Sequence, residues 1–394
     1  MRRSLIIVGA SARAAAFSAA RAGFAPYAID LFADRDLAGL CPAVRIDRYP
    51  LGFLRALTAA PDAPWIYAGG LENQPRLVAR MAEVRPLWGN GPETLRAIRD
   101  PQRLAEVLRE EGLQSPDQWS GCNAEGRNSR RWLVKPIRGS AGLGVRFATA
   151  ADLAQPPRGT FVQEYIAGES CSATFVAAGS RAALLGATRQ LVGRDWGLSP
   201  EFLYVGSLGP LDLSEVEQTK LRRLGDALAL RFGLVGLFGV DLIRTADELW
   251  PVEVNPRYTA SIEVLERVTV SHFLAFHAAA CESGSLPESP PVTHRVFAGK
   301  AVVYARSDCT WGRESLAASG LAIASESLPP KTPDPLAARW PEIADLPSEG
   351  QRFQAGQPVA TVFSTGDSLG EVEQHLRSRE VALLDSLSQH QSAS

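Results

Sequence analysis

The sequence predicts an α/β protein of several units, opened by a parallel sheet, and three observations predict it. The first thirty residues read as strand, helix and strand. Residues 132–192 read as successive strands around a glycine-rich loop. Residues 236–257 read as two strands joined by a tight turn, with acidic residues on both. At 394 residues the chain exceeds what one hydrophobic core usually supports, so two or three domains are expected.

SLIIVGA is a buried strand by its apolar run, SARAAAFSAARAGF a helix with alanine-rich faces, and APYAID a second strand ending at Asp30. A β-α-β unit of this kind begins a parallel sheet. The opening MRRSLIIVGASARAAA is too short in its apolar core, and too soon interrupted by Arg13, to be a secretory leader. The first turn, G-A-S-A-R, lacks two of the glycines of a dinucleotide fingerprint, which weakens that reading. WIYAGG (65–70) reads as a later strand of the same sheet. Leu71, Glu72 and Asn73 follow its carboxyl end, where open α/β sheets place ligands.

Residues 92–113 carry helical spacing broken at Asp100-Pro101, hence two helices, with Asp100 a candidate cap. The polar stretch 115–129 is a loop. From Trp132 the pattern becomes WLVKPI, VRFA, TFVQEYI, SATFVAAG and ALLGATRQLV, expected as one compact strand-rich unit. A long helix (214–233) precedes the strand pair GLFGVDLIRT and ELWPVEVNP, whose turn falls at Ala246-Asp247. Residues 260–284 read as mostly helical, and SLPESPPVTH (285–294) as a linker. A last unit runs from the strand FAGKAVVYAR to the helix GEVEQHLRSREVALLDSL, with a frayed Ser/Gln tail.

Composition is ordinary for a globular protein, 45% hydrophobic and 21% charged, and the net charge of -2 gives no general electrostatic case for nucleic acid or an anionic membrane. No run approaches the roughly 18 apolar residues of a membrane span. Cys41, Cys122, Cys171, Cys281 and Cys309 are odd in number and scattered without a C-x-x-C pair; they fit a reducing cytoplasm, not a disulfide frame or zinc site. His272, His277, His294, His375 and His390 form no catalytic pattern with serine or cysteine, and His272 and His277 read as core or rim residues of an apolar helix.

Two stretches carry chemistry. In WLVKPIRGSAGLGVRF (132–147) Lys135 ends an apolar run, and Gly139, Gly142 and Gly144 free the backbone to wrap an anion. In the strand pair, Glu253 and Asn255 share one face by the period of two, and antiparallel pairing brings Asp241 to Glu253. Two carboxylates and a carboxamide converging repel unless a cation joins them; with phosphate oxygens and water they supply the ligands Mg²⁺ takes. The bland alternative is a solvated hairpin face, against which the apolar flanks argue. Lysine and loop for phosphates, with acidic strands for metal, is a division of labour for a magnesium nucleotide. The Walker and protein-kinase motifs are absent.

In VKPIRGSAGLGV, FVQEYIAGES, DLIR and VEVNPR, in this order and spacing, the sequence resembles the ATP-grasp superfamily from its first strand to about residue 290. The resemblance implies an α/β ATP-grasp fold. Residues 1–91 would be an N-terminal parallel α/β domain. Residues 92–190 and 191–290 would be the small and large α+β subdomains that clamp ATP, and 291–394 a small β-rich extension. It implies ATP and Mg²⁺ as cofactors, with Lys135 on the phosphates and Gly139, Ser140, Gly142 and Gly144 in the loop closing over them. Gln163, Glu164 and Ile166 would form the hinge around the adenine, with Glu164 or Glu169 reaching base or ribose. Asp241, Glu253 and Asn255 would hold the metal, and Arg257 would stabilise charge on the transferred group. The family's usual Asp-Lys pair is Asp100-Pro101 here; Arg99, Arg103 or Arg138 is left to supply the missing cation.

Such enzymes phosphorylate a carboxylate and pass the acyl group to an amine, which requires no side-chain nucleophile. The stretches VGASARAAAFSA, IYAGGLENQP and IADLPSEGQRFQAGQPVATVF further resemble predicted carboligases of one-carbon cofactor synthesis. The chain is more distantly similar to tyramine–glutamate ligases, and its tail to the biotin carboxylase C-terminal domain. These likenesses imply amide formation on a methanofuran-, methylofuran- or tetrahydromethanopterin-type precursor, with glutamate or a similar amino acid as substrate. They imply small-molecule substrates, no nucleic-acid or membrane partner, and allow a homodimer. A substrate gap is expected between the N-terminal sheet and the metal strands, bordered by Ser11, Arg13, Glu72, Asn73 and Arg257, with Asp345 a further candidate. The alternatives are a small-molecule kinase of the same superfamily and a nucleotide-binding regulator without turnover.

Overall fold

The computed structural model describes residues 2–120, 130–269, 271–289, 291, 296–312, 316–317, 319–321 and 340–389. Cys122, His294 and His390, with most of the expected loop 115–129, part of the linker and the end of the tail, lie outside the described residues.

The chain begins with β1 (Ser4–Val8), α1 (Arg13–Arg21), β2 (Ala25–Asp30), α2 (Arg35–Leu40), β3 (Ala43–Arg45), α3 (Gly52–Ala59), β4 (Trp65–Tyr67) and α4 (Pro75–Ala82). The strands form a parallel sheet in the order β3-β2-β1-β4. The apolar runs that predict the strands are buried on both faces, as parallel sheets require. Gly9, at the end of β1, serves packing: a Cβ there would lie 2.9 Å from the Ala68 Cβ.

α5 (Pro92–Ile98) and α6 (Pro101–Glu110) meet at Asp100, whose carboxylate accepts the Gln102 and Arg103 N–H groups at 3.0 and 3.3 Å. The residue is thus a helix cap, a feature worth about 1 kcal/mol. Next come β5 (Trp132–Pro136), β6 (Arg146–Phe147), α7 (Ala150–Ala154) and β7 (Thr160–Glu164), whose strands form a small antiparallel sheet in the order β6-β5-β7.

β8 (Glu169–Ala178), β9 (Arg181–Val192) and β10 (Tyr204–Gly209) precede the long helix α8 (Glu215–Phe232), which a Ser214–Glu217 capping box starts and left-handed Gly233 ends. β11 (Gly236–Arg244), β12 (Leu249–Asn255), α9 (Ala260–Arg267), α10 (Phe273–Ser283) and β13 (Phe297–Tyr304) follow. The chain closes with β14 (Cys309–Thr310), β15 (Ile343–Ala344), β16 (Arg352–Phe353), β17 (Pro358–Gly366) and α11 (Leu369–Gln389). Among the described residues β14 pairs only with β16; the strands from β8 to β13, with β15 and β17, build one antiparallel sheet in the order β12-β11-β8-β9-β10-β13-β17-β15.

This sheet crosses two of the boundaries expected from sequence. β8, on the small-subdomain side of residue 190, pairs with β11 and with β9, which itself runs past that residue, and β13, β15 and β17, beyond residue 290, continue the same ladder. The strand-rich stretch 132–192 is therefore two sheets and not one unit. The segment 260–284 divides into α9 and α10 around the β-branched Val268-Thr269, and Glu266 accepts the Phe273 N–H at 2.7 Å where the second helix begins.

Strand periodicity sets what the large sheet offers each side. Phe175, Ala177, Phe238, Val240, Leu242 and Val254 pack under α6 and α8. The alternate residues Ser172, Asp241, Glu253 and Asn255 point the other way, toward the small sheet.

Candidate active site

Between the small sheet and this face lies a cavity of about 290 Å³. Lys135, Ser140, Ala141, Gly142, Gln163, Glu164 and Ile166 line one side, and Asp241, Glu253, Asn255 and Arg257 the other.

The loop after β5 is bent at Ala141, Gly142 and Gly144, with φ of 53°, 73° and 78°. Gly142 sits so close to the opposite wall that a Cβ would lie 1.8 Å from the Phe202 carbonyl oxygen, and Tyr204 N–H donates to Ala141 O at 2.9 Å. The loop is thereby folded down across the cleft. Gly139 lies behind it, its carbonyl accepting from Asn73 Nδ2 and from Arg99, each at 3.1 Å.

Lys135 Nζ donates to Gln163 Oε1 at 3.0 Å and Val252 O at 3.3 Å, which joins the two sheets. Burial lowers the affinity of this ammonium for its proton, with the Glu253 and Asp241 carboxylates opposing. In the segment expected as the hinge, the Glu164 carboxylate turns toward Arg130 (3.2 Å) and Asp117 N–H (3.3 Å). Glu169 lies apart from the cavity lining, 3.9 Å from Arg244. Tyr165 and Phe202, which line the cavity, cluster with Phe147, and Arg131 lies 3.7 Å over the Phe147 ring.

Asp241 and Glu253 are direct cross-strand partners, as the periodicity predicts. Asn255 Nδ2 donates to Asp241 Oδ2 at 3.0 Å, and Gln190 Nε2 to Oδ1 at 2.8 Å. Burial, and then the charge of Glu253, push the Asp241 carboxyl up to about 6. Burial acts on Glu253 in the same sense, but the Arg99 and Lys135 charges outweigh it and hold that carboxyl below its usual range. Among the described residues no group of three or more His, Cys, Asp or Glu side chains gathers to hold a metal. The candidate is this pair of carboxylates with one carboxamide. Mg²⁺ needs only one or two carboxylates beside phosphate and water oxygens, and a divalent charge would relieve the repulsion that raises Asp241, so the donor set fits the ion.

Of the cations left open by sequence, Arg99 reaches the site and is ion-paired with Glu253. Arg103 lies 5.7 Å over the Phe232 ring, and Arg138 lines a separate outer cavity of about 490 Å³ behind the glycine loop.

The expected substrate residues are only partly brought together. Arg257 Nε donates to Glu72 Oε1 at 2.8 Å, while Glu72 Oε2 accepts the Gly70 N–H at 2.6 Å, fixing the guanidinium at the carboxyl edge of β4. Asn73 serves the glycine loop, and Ser11 is exposed at the first turn. Arg13 is elsewhere: it is 3% exposed and ion-paired with Glu263 and Asp345, so its charge is already matched inside the protein. His277 accepts the Leu237 N–H at Nδ1 (2.8 Å) and faces Trp88 O through Nε2 (3.2 Å), a structural role.

Sequence reasoning missed Gln190, Ser172, Ser207 and Tyr204, all lining the cavity. The one local signal was the polar pair Thr188 and Gln190 at alternate positions, after the apolar run Ala182–Ala187 of β9.

A glycine loop and lysine on one sheet, clamped against paired carboxylates on another, is the arrangement of the ATP-grasp fold, and residues 98–261 match the ATP-grasp domain family. The chain carries an ATP-grasp domain, a class that works with ATP and Mg²⁺. Solved structures share its whole architecture. The biotin carboxylase domain of Hydrogenobacter thermophilus 2-oxoglutarate carboxylase, a dimer in complex with MgADP, ADP and bicarbonate, is 15% identical with a TM-score of 0.69, over 96% of this chain and 89% of that one. N5-carboxyaminoimidazole ribonucleotide synthetase from Thermus thermophilus is 17% identical at 0.64, over 97% and 98%. L-amino acid ligase from Bacillus licheniformis is 16% identical at 0.64, over 97% and 98%. At these identities the likeness establishes the fold. No helix among the described residues is long and apolar enough to cross a membrane.

Proposed function

We propose that the protein is a Mg·ATP-dependent carbon–nitrogen ligase. The observation that carries this reading is the convergence of Lys135 and the loop at Ser140–Gly142 with Asp241, Glu253 and Asn255 on a single cavity. Lys135 and the loop N–H groups hold the phosphates, the hinge at Gln163–Ile166 the adenine, and Asp241, Glu253 and Asn255 the metal. The metal, when bound, neutralises charge on the phosphate oxygens.

A substrate carboxylate oxygen attacks the γ-phosphorus; the bond to the β–γ bridging oxygen breaks and ADP leaves. An amine nitrogen then attacks the acyl carbon and loses a proton, and phosphate departs with the electrons of the C–O bond. Arg257, fixed by Glu72, faces the charge that develops on the acyl and phosphoryl oxygens. Positioning and charge stabilisation suffice, so no nucleophilic side chain is required.

The finer reading is a step in assembling a one-carbon carrier cofactor of the furan or pterin type, with glutamate or a similar amino acid as a substrate, in the cytoplasm and as a homodimer. It is supported by the resemblance of the first turn, the β4 region and the tail to carboligases of that synthesis. The test is ADP release with a panel of amino acids and aromatic amines, alone and in pairs, with products read by mass spectrometry. A ligase shows full turnover and an amide only when both partners are present. Repeated turnover to ADP and a released phosphorylated product with one partner alone would mark a kinase, and tight nucleotide binding without product across the panel would mark a regulator.

A further inference from the structure

Arg99 lines the outer cavity, at the junction of α5 and α6, and reaches Glu253, which lines the central one. One terminal nitrogen is ion-paired with Glu253. The other donates to Gly139 O at 3.1 Å, Ile137 O at 3.4 Å and Asn73 Oδ1 at 3.1 Å. One guanidinium therefore ties the glycine loop to a carboxylate of the candidate metal site. The side chain is only 13% exposed, yet among the described residues its Nε is buried without a partner. Leaving such a donor unsatisfied is costly, so the arrangement depends on the attraction between Arg99 and Glu253. That carboxylate is also the one a divalent cation would claim.

We infer that Arg99 is a latch that trades partners. In the nucleotide-free protein it holds the glycine loop against Glu253. When Mg·ATP enters, Glu253 passes to the metal and the freed guanidinium nitrogen turns to the triphosphate, so neither charge is left buried and unpaired. The inference rests on the proposal that the cleft holds Mg·ATP. The latch itself concerns the empty protein, and its readout is independent of turnover. The backbone at the junction of two helices holds Arg99 in place, so the exchange needs only side-chain rotation.

The experiment has two arms, run on wild type, Arg99→Ala and Arg99→Lys after each is shown to unfold cooperatively. Hydrogen exchange of peptides covering residues 137–144, without nucleotide, should be about tenfold or more faster in Arg99→Ala. Titration with Mg²⁺ and a non-hydrolysable ATP analogue should show affinity about tenfold or more weaker in Arg99→Ala, and largely recovered in Arg99→Lys. If Arg99→Ala fails to fold, the lysine variant carries the first arm, with a smaller acceleration expected. Unchanged loop exchange overturns the latch. A loosened loop with unchanged affinity overturns the trade. Absence of analogue binding by the wild type overturns the nucleotide reading and the trade with it, whatever the loop does.

Discussion

Glu253 links both sides of the site: it pairs across the strands with Asp241, binds Arg99 and shares the cavity with Lys135. Substitution by glutamine keeps its shape and removes its charge. Glu253→Gln is expected to lower turnover by at least about 10²-fold, the scale on which removal of one charge-stabilising group is felt. Cooperative thermal unfolding should persist, because the residue faces a cavity and not a packed core. Steady-state ADP release, read beside a melting curve, checks it; full activity would remove Glu253 from the proposed metal site. The sequence made this residue legible because a two-residue period and a short turn are local facts. Gln190 and Arg99 were not legible as contacts of Asp241 and Glu253, since each comes from an element whose pairing is decided far along the chain. Arg13 shows the opposite error: an arginine at a first turn looked like a substrate contact until the fold placed Glu263 and Asp345 against it.

The working element is the loop between β5 and β6, and its geometry turns on Gly142. A side chain there would meet the Phe202 carbonyl, and the positive φ disfavours any residue with a Cβ. Gly142→Ala is therefore expected to hold the loop off the opposite wall and lower kcat/KM for ATP by up to about 10²-fold, the cost of a misplaced reacting group. The loop contributes little to the core, so the thermal midpoint should barely move. A variant with wild-type kcat/KM would show that the loop need not close as it does here. The glycine pattern pointed to a loop able to wrap an anion, but not to the wall it folds against. Phe202 and Tyr204 lie about sixty residues downstream and reach the loop only because β10 joins the large sheet. The same reason hid the division of residues 132–192 between two sheets: strand propensity says where strands are, not which of them pair.

Across the whole molecule, the N-terminal sheet, α9 and the C-terminal strands meet at one buried charge cluster. Arg13 binds Glu263 and Asp345, Lys300 Nζ reaches Glu263 at 3.0 Å, and the Asp36 carboxylate accepts the Asp345 and Leu346 N–H groups, each at 3.0 Å. Acidic groups crowd one side of it. Burial first, then the charges of Asp345, Asp36 and Asp30, push the Asp34 carboxyl up to about 8, against the pull of Arg13. Asp34 stands just before α2 but makes no side-chain capping bond, so replacing it costs the helix little. A carboxyl whose folded pKa lies above its unfolded value of about 3.9 contributes stability that is whole below that value and is lost as pH rises through about 8. Asp34→Asn keeps the neutral form at every pH. Its stability relative to wild type should therefore be near level at pH 4 and rise toward pH 8, by at most about 1.4 kcal/mol per pH unit. Urea denaturation of both proteins across that range reads the difference directly. A constant difference would mean that Asp34 titrates alike in the folded and unfolded chain, and that the cluster joins the three regions without a pH-dependent strain at α2.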